Sequence, residues 1–389
     1  MDFDLTEEQQ QIRDLARDFA ARELAPHALE WDEAAHFPRD MFNKMGEIGF
    51  AGMLVPEEHG GVGTDTLSYI LMLEEINKVV PALGTVLSVH NSLVSYAISH
   101  WGNEEQRAEF LPKLATGEWL GAYALSEAHA GSDPASIRTP AVRDGDEYRI
   151  TGTKTWITSG GHAEVFILFA VTDRDVKPGK GISAFILPKG TPGLSVGKRE
   201  RKMGIRASET TQLILEDARL PARLLLGKEG EGFKLALSLL DGGRIGIAAQ
   251  GLGIAEGAYD AAVAYAMERN QFGKPIAEHQ AIQFMLADMA TGIEAGQMLL
   301  YKAAVRKDRR ERVTSEASMA KLFCSELAMK CAHDAVQIHG GYGYVKEYLV
   351  ERLFRDAKIT EIYEGTSQVQ RMVIAGQLLK GWAGGENEA

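Results

Sequence analysis

The segment Ile362-Tyr-Glu-Gly-Thr-Ser-Gln-Val-Gln-Arg371 sets one carboxylate, Glu364, on a glycine hinge between apolar neighbours and the start of a helix. Thr366 or Ser367 can cap that helix, with Val369, Met372, Val373 and Ile374 on its apolar side. A carboxylate that loses water beside Tyr363 becomes a stronger base, so proton abstraction is the chemistry this spacing offers. A surface Glu in a turn is the alternative.

Other stretches offer binding rather than acid–base groups. Tyr123-Ala-Leu-Ser-Glu-Ala-His-Ala-Gly-Ser-Asp133 ends a strand in small residues and hydroxyls, where backbone N–H groups, Ser126 or Ser132 can approach an anionic ligand. An Asx or Ser turn at Gly131-Ser132-Asp133 explains it equally. In Thr155-Trp-Ile-Thr-Ser-Gly-Gly161, strand alternation puts Trp156 and Thr158 on one face and Ile157 on the other, a backing for a planar ring or a core tryptophan. Asp241-Gly-Gly-Arg244 places two charges three apart on a helix, an ion pair or a ligand site, and its double glycine asks for something packed against the backbone. Arg269, in a helix end with a glycine stop at Gly273, serves the helix terminus or a phosphate. Gln337-Ile-His-Gly-Gly-Tyr-Gly343 leaves bare backbone for a dinucleotide or makes a turn with positive φ.

The elements that must position these residues fall into three blocks. To about residue 115 the pattern is helical, with a capping signal at Thr6-Glu-Glu-Gln9 and breaks at Pro38, Pro56 to Gly63 and Gly102. Runs rich in Val, Ile, Thr and Tyr follow: Tyr148–Ile157, Val165–Val171, Ile182–Leu187 and Thr211–Leu215. Asp144-Gly145 signals a two-residue hairpin, and Pro188, Pro192 and Pro221 mark strand ends, so the middle reads as a small barrel or sandwich. Long helical patterns return over Phe233–Asn270, Glu278–Asp308, Ser315–Ile338 and after Thr366, as in an antiparallel bundle. The expected domains are 1–117 (all-α), 118–228 (β) and 229–389 (α), with a site at their seams.

At 389 residues, 45% apolar and 25% charged, the chain suits two or three globular domains, and only the tail Ala383–Ala389 looks low in structure. A net charge of -12 argues against a nucleic-acid surface or an anionic membrane surface. Cys324 and Cys331, seven apart on one helix face, read as reduced core thiols. The acidic N-terminus shows no targeting or lipidation pattern and no window spans a bilayer, so a cytoplasmic location is expected. Gly251-Leu-Gly253-Ile-Ala-Glu-Gly257 is read as helix packing, since no strand precedes it. Walker A, HExxH, GxSxG and zinc spacings are absent, so no metal is expected.

Together, Ala124-Leu-Ser-Glu-Ala-His-Ala-Gly-Ser-Asp133, Gln337 through Gly340, Gly341, Glu347, Arg352 and Asp356, and Ile362-Tyr-Glu-Gly-Thr-Ser-Gln368 resemble the acyl-CoA dehydrogenase family over nearly the whole chain. Val89-His-Asn-Ser-Leu93 and Asp241-Gly-Gly-Arg-Ile245 most resemble its short-chain, butyryl-CoA members. The resemblance implies an α+β multidomain fold with an N-terminal helical domain, a β-barrel domain and a C-terminal four-helix bundle. It also implies a homotetramer (a dimer of dimers), FAD between the domains, and a place in fatty-acid β-oxidation. Glu364 would take the α-proton of an acyl-CoA thioester while hydride leaves the β-carbon for the flavin, giving a trans-2-enoyl-CoA. The Glu364 backbone N–H would help hold the thioester oxygen. Leu125, Ser126, Trp156 and Thr158 would border the flavin ring, with Ser132 near the pyrophosphate and the CoA arm, and Tyr123 and Gly131 would also bind the cofactor. Arg269, Gln271, Phe272 and Gln280, with Gln337, Gly340 and Gly341, would take adenosine and phosphates, several across a subunit interface, and Thr366 and Gln368 would complete that site. Asp241, Arg244 and Gly365 would meet the substrate. Two departures stand out: Ala128 replaces a common Pro, and Gly243 occupies the position from which some relatives supply the base. The expected acceptor is an electron-transfer flavoprotein. An acyl-CoA oxidase, a related flavoprotein acting on another C–H acid, and a silent CoA-binding scaffold are the competing readings.

Overall fold

Thr6 opens the first helix as sequence alone predicts: its hydroxyl accepts from Gln9 N–H and the Gln9 side chain accepts from Thr6 N–H, a complete capping box. In the computed structural model, which describes residues 4–385, seven helices follow one another in the first block. They are α1 (Glu7–Phe19), α2 (Ala28–Ala34), α3 (Arg39–Glu47), α4 (Thr66–Val79), α5 (Pro81–Ser88), α6 (Tyr96–Trp101) and α7 (Glu104–Ala115). Pro38 caps α3 and Gly102 ends α6, as the breaks predict. Between α5 and α6 the chain is wound as a π-helix, Val89–Ser95, with every residue buried. Such wide turns are rare and concentrate at functional sites.

The middle block has two four-stranded sheets. One orders β1 (Gly121–Ala124), β4 (Val165–Val171), β5 (Ile182–Pro188) and β8 (Leu225–Leu226), with β1 parallel to β4 and the other pairs antiparallel. The other orders β2 (Ala141–Asp144), β3 (Glu147–Thr158), β7 (Thr210–Pro221) and β6 (Leu194–Arg199), all antiparallel. Three differences from sequence arise here. Strands β2 and β6 expose most of their residues, so neither forms an apolar run. The hairpin pairs Asp144 with Glu147, which makes Gly145-Asp146 the loop, with Gly145 at φ +61°. Pro188 and Pro221 end strands, whereas Pro192 precedes β6.

The last block holds α8 (Gly232–Glu268), α9 (Gln280–Asp308), α10 (Thr314–His339), α11 (Leu349–Thr360) and α12 (Ser367–Gly385). The Arg269 to Lys274 region is not a glycine helix stop. It is a tight hairpin of β9 (Asn270–Gln271) and β10 (Lys274–Pro275), with Phe272 and Gly273 both at positive φ. The glycines of α8 do pack helices: a Cβ on Gly251 would meet Cys324 O at 2.7 Å, and one on Gly253 would meet Glu74 O at 2.5 Å. The backbones of α4, α8 and α10 therefore approach closely, and one continuous core joins both helical blocks. A second core joins the sheets to α6, α7 and the π-helix. Cys324 and Cys331 are buried and free. Among the described residues no helix is long and apolar enough to cross a membrane, and no His, Cys, Asp and Glu cluster could hold a metal. The expected loose tail lies partly in α12, up to Gly385, and partly outside the described residues.

Candidate active site and cofactor cradle

Glu364 has φ +52° and Gly365 φ +88°, so the carboxylate leaves α11 on two consecutive left-handed residues before α12 begins. Glutamate pays for that conformation where glycine does not, and such outliers gather at functional sites. Thr366 caps α12, its hydroxyl accepting from Val369 N–H at 3.2 Å. Val369, Val373 and Ile374 are half-buried, but Met372 is exposed. The hinge is held from behind. Gln370, fully buried, donates to the carbonyls of Glu364 (3.0 Å) and Gly365 (2.9 Å), and Lys321 of α10 donates to Gly365 O at 2.8 Å. Tyr363 OH bonds Gln250 of α8, and Thr85 of α5 lies 3.3 Å from it.

The Glu364 carboxylate thus sits where three layers meet. Its Oε2 is buried without a hydrogen-bond partner, as are Tyr69 OH, Ser95 Oγ, Tyr123 OH and Arg244 Nε. Burial pushes the Glu364 carboxyl up to about 7, against the pull of Arg244 and Lys321. A Cβ on Gly243 would stand 2.7 Å from Oε2 and 3.2 Å from Leu93 Cδ2, the latter in the π-helix. Gly243 therefore faces the carboxylate and leaves it room.

Both glycines of the pair have a side chain packed against them, as the sequence asks. Gly242 is covered by Lys307, whose Nζ would lie 2.8 Å from an added Cβ, and Gly243 by Glu364, so both contacts come from within the chain. Asp241 and Arg244 form the ion pair at 2.9 Å, and Thr314 Oγ1 donates to Asp241 at 2.8 Å. Gly243→Ala is expected to lower the rate of the chemical step about 10–100-fold without unfolding the protein, because a displacement of about 1 Å costs on the order of a hundredfold. Stopped-flow rates with equal cofactor content check this.

The second group surrounds the end of β3. An extra residue between Lys154 and Ile157 bulges the strand, and Trp156 takes φ +62°. The ring is turned outward and is 64% exposed, Thr158 is half-buried on the same face, and Ile157 is buried opposite. Half-buried Ser126 lies alongside, its carbonyl accepting from Thr155 N–H at 2.9 Å, while Leu125 is buried. Gly131 and Ser132 are exposed, with open space where a Gly131 Cβ would be. Tyr123 OH and Thr155 Oγ1 are buried without partners. An outward aromatic and nearby unused polar atoms fit a planar, heteroatom-rich ligand.

The third group forms a cavity of about 610 Å³ between the ends of α8 and α10, lined by Arg269, Gln271, Gly340, Gly341, Tyr265 and His339 among others. Gly340 has φ +60°, and an added Cβ at Gly340 or Gly341 would meet nothing within 4 Å. Four expected cofactor residues thus share one cavity. Phe272 (94% exposed), Gln280, Gln337 and Gln368 are exposed and do not line it.

Sequence reasoning missed the support of this cradle. Lys154, wholly buried, donates to Leu125 O at 3.0 Å and Glu127 Oε1 at 2.7 Å, and Glu127 also accepts from Arg138 N–H (2.8 Å) and Thr139 N–H (3.0 Å). His90 is equally hidden: Nδ1 accepts from Gly121 N–H at 3.1 Å, which leaves Nε2–H to donate to Leu114 O at 2.9 Å. Burial pulls His90 down to about 4, so it stays neutral and ties the π-helix to β1.

The three domain models of one family match in order: acyl-CoA dehydrogenase N-terminal domain at residues 6–118, middle domain at 122–218 and C-terminal domain at 230–379. The chain belongs to the acyl-CoA dehydrogenase family. It is 50% identical over 380 residues to the short-chain specific acyl-CoA dehydrogenase of Clostridium acetobutylicum, covering 98% of this chain and all of that one. It superposes on butyryl-CoA dehydrogenase from Megasphaera elsdenii with a TM-score of 0.96 at 46% identity, over 97% of this chain and 100% of that one. A structure solved in work on the electron transferring flavoprotein of Acidaminococcus fermentans and flavin-based electron bifurcation matches at TM-score 0.96 and 52% identity, with 97% and 100% covered. With the family come its three-domain fold, helical at both ends and sheet-rich in the middle, and FAD-dependent oxidoreductase chemistry on acyl-CoA thioesters.

Proposed function

We propose that this acyl-CoA dehydrogenase acts on short acyl chains and that Glu364 is its base. The observation that carries the base is the buried carboxylate on the left-handed hinge, with Oε2 unpartnered and Gly243 opposite, and similarity to the short-chain specific and butyryl-CoA dehydrogenases supports the short acyl chain. Glu364 removes the α-proton of the thioester, and its burial supplies the basicity. Arg244 and Lys321 keep a positive field beside the carboxylate, so the ionised form is present near neutral pH. The left-handed hinge leaves the Glu364 N–H to help hold the thioester oxygen as charge develops there. FAD, when bound, would supply the oxidant for the β-carbon hydride, so that the product would be the trans-2-enoyl-CoA. Trp156, Thr158, Ser126, Leu125 and Tyr123 hold the flavin. Gly131 and Ser132 approach the pyrophosphate, and Ser132 also meets the CoA arm. Arg269, Gln271, Gly340 and Gly341 take the nucleotide part, with Phe272, Gln280, Gln337, Thr366 and Gln368 completing the site. Asp241, Arg244 and Gly365 border the substrate.

The exposure of Phe272, Gln280 and Gln337 beside the nucleotide cavity supports a site shared between copies, in a homotetramer built as a dimer of dimers. An electron-transfer flavoprotein is the proposed acceptor, the cytoplasm the location and fatty-acid β-oxidation the setting. The purified protein is expected to be yellow and to bleach on anaerobic addition of butyryl-CoA. Persistence of the oxidised flavin band with straight, branched and longer acyl-CoA thioesters alike would overturn the proposal. Rapid reoxidation by dioxygen in turnover would instead mark an oxidase.

A further inference from the structure

Lys321 is fully buried, yet its ammonium makes no ion pair within 4 Å among the described residues and is spent on a backbone carbonyl, Gly365 O at 2.8 Å. A buried charge without a contacting counter-ion is costly, so its presence calls for a reason. Gly365 O also receives Gln370 Nε2 at 2.9 Å, so one carbonyl is gripped by donors from α10 and α12. Gln370 also holds the Glu364 carbonyl at 3.0 Å, so both peptide units that follow the carboxylate's Cα are fixed.

We propose that Lys321 is a positioning residue for Glu364: it clamps the left-handed hinge through Gly365 O and sets a fixed positive charge behind the carboxylate. This rests on Glu364 being the base. The groups facing Glu364 are Arg244 from α8, Lys321 from α10, Tyr69 from α4, Tyr123 from β1 and its own neighbour Tyr363. Those facing Lys321 are Glu364, Arg244, Glu361 and Glu326. Burial pulls the Lys321 ammonium down to about 8, which leaves it charged at neutral pH, and of its neighbours Glu364 resists that fall most.

The two tasks separate in two variants. Lys321→Gln keeps a donor and loses the charge, whereas Lys321→Met loses both. Removing the charge raises the Glu364 carboxyl further, so the rise of kcat/KM with pH is expected to move alkaline by about half a pH unit or more in both. Above that rise, Lys321→Gln is expected within a few-fold of the parent rate, and Lys321→Met at least about tenfold below it. Lys321→Arg is expected to return the pH profile towards the parent's. A readout that needs no turnover is the melting temperature of each protein with and without Glu364→Gln, across pH. The pH at which that difference levels off is expected to rise with the Lys321 variants. Unmoved profiles and unmoved melting differences in Lys321→Gln would overturn the proposal even if Lys321→Met failed to fold. Bleaching by butyryl-CoA in Glu364→Gln alone would instead overturn the assignment of the base.

Discussion

Glu364→Gln is expected to keep FAD and the fold while losing about 10²–10⁴-fold in the rate of anaerobic flavin reduction, the range a positioned general base contributes. Glutamine matches the carboxylate in size and leaves the hinge contacts untouched, since Lys321 and Gln370 grip backbone carbonyls rather than the side chain. Loss of rate with unchanged flavin content therefore isolates proton abstraction. Retained reduction would move the base elsewhere, and Gly243, which faces the carboxylate, has no side chain to take its place.

The same variant reports the cost of the base. Burial raises the folded carboxyl from 4.5 to about 7, so between those values the folded chain holds a proton the unfolded chain has released. Stability contributed by this site is therefore present below pH 4.5 and is lost as pH rises towards 7. Glutamine does not titrate. The melting temperature of Glu364→Gln should exceed the parent's at pH 8, with a difference that shrinks as the pH falls through this window. Rate follows the opposite course: the parent's kcat/KM should climb to a plateau above about pH 7 as the free base forms. Stability and activity are thus traded at one residue, a relation seen wherever a site needs a poorly solvated charge.

How much of this was legible in the chain depends on the range of the forces involved. The Thr366 cap and the long helices follow from local rules, since caps and periodicities are set by residues three or four apart. The order of helical, sheet and helical blocks was equally readable, and so was the helix packing by Gly251 and Gly253. Strands β2 and β6 were not, because edge strands that expose their side chains carry no apolar signature. What faces Gly243, and the lysine of α10 that grips Gly365, are contacts between residues over forty apart in sequence. Nothing in a local pattern encodes them. The π-helix at Val89–Ser95 hid for another reason: its residues are compatible with an ordinary turn of α-helix, and only packing shows the wider one. For Lys154 alternation misleads: it groups Lys154 with the outward Trp156, and only the bulge after Lys154 turns its side chain inward to Glu127.

Lys154→Met is expected to destabilise the middle domain by about 3–5 kcal/mol, the cost of leaving one member of a buried pair uncompensated. Glu127 would retain the N–H groups of Arg138 and Thr139 but lose the only cation bonded to it within 3 Å among the described residues. Burial opposes its ionisation. Lys154 and the loop donors outweigh that and hold its carboxyl down to about 2, so its stabilising contribution is complete above pH 4.5 and disappears as pH falls towards 2. In Lys154→Met the acid-unfolding midpoint should therefore move to higher pH, as the variant loses part of that contribution. The cofactor should feel the change too, because Lys154 also holds Leu125 O, in the loop that borders the proposed flavin site. Weaker FAD retention through gel filtration is the expected sign. Adding Glu127→Gln removes the stranded charge, so the double variant should recover part of the lost stability while FAD retention stays low. Stability follows the pair and the cofactor follows the carbonyl, and a double-mutant cycle read by both melting and flavin content separates them.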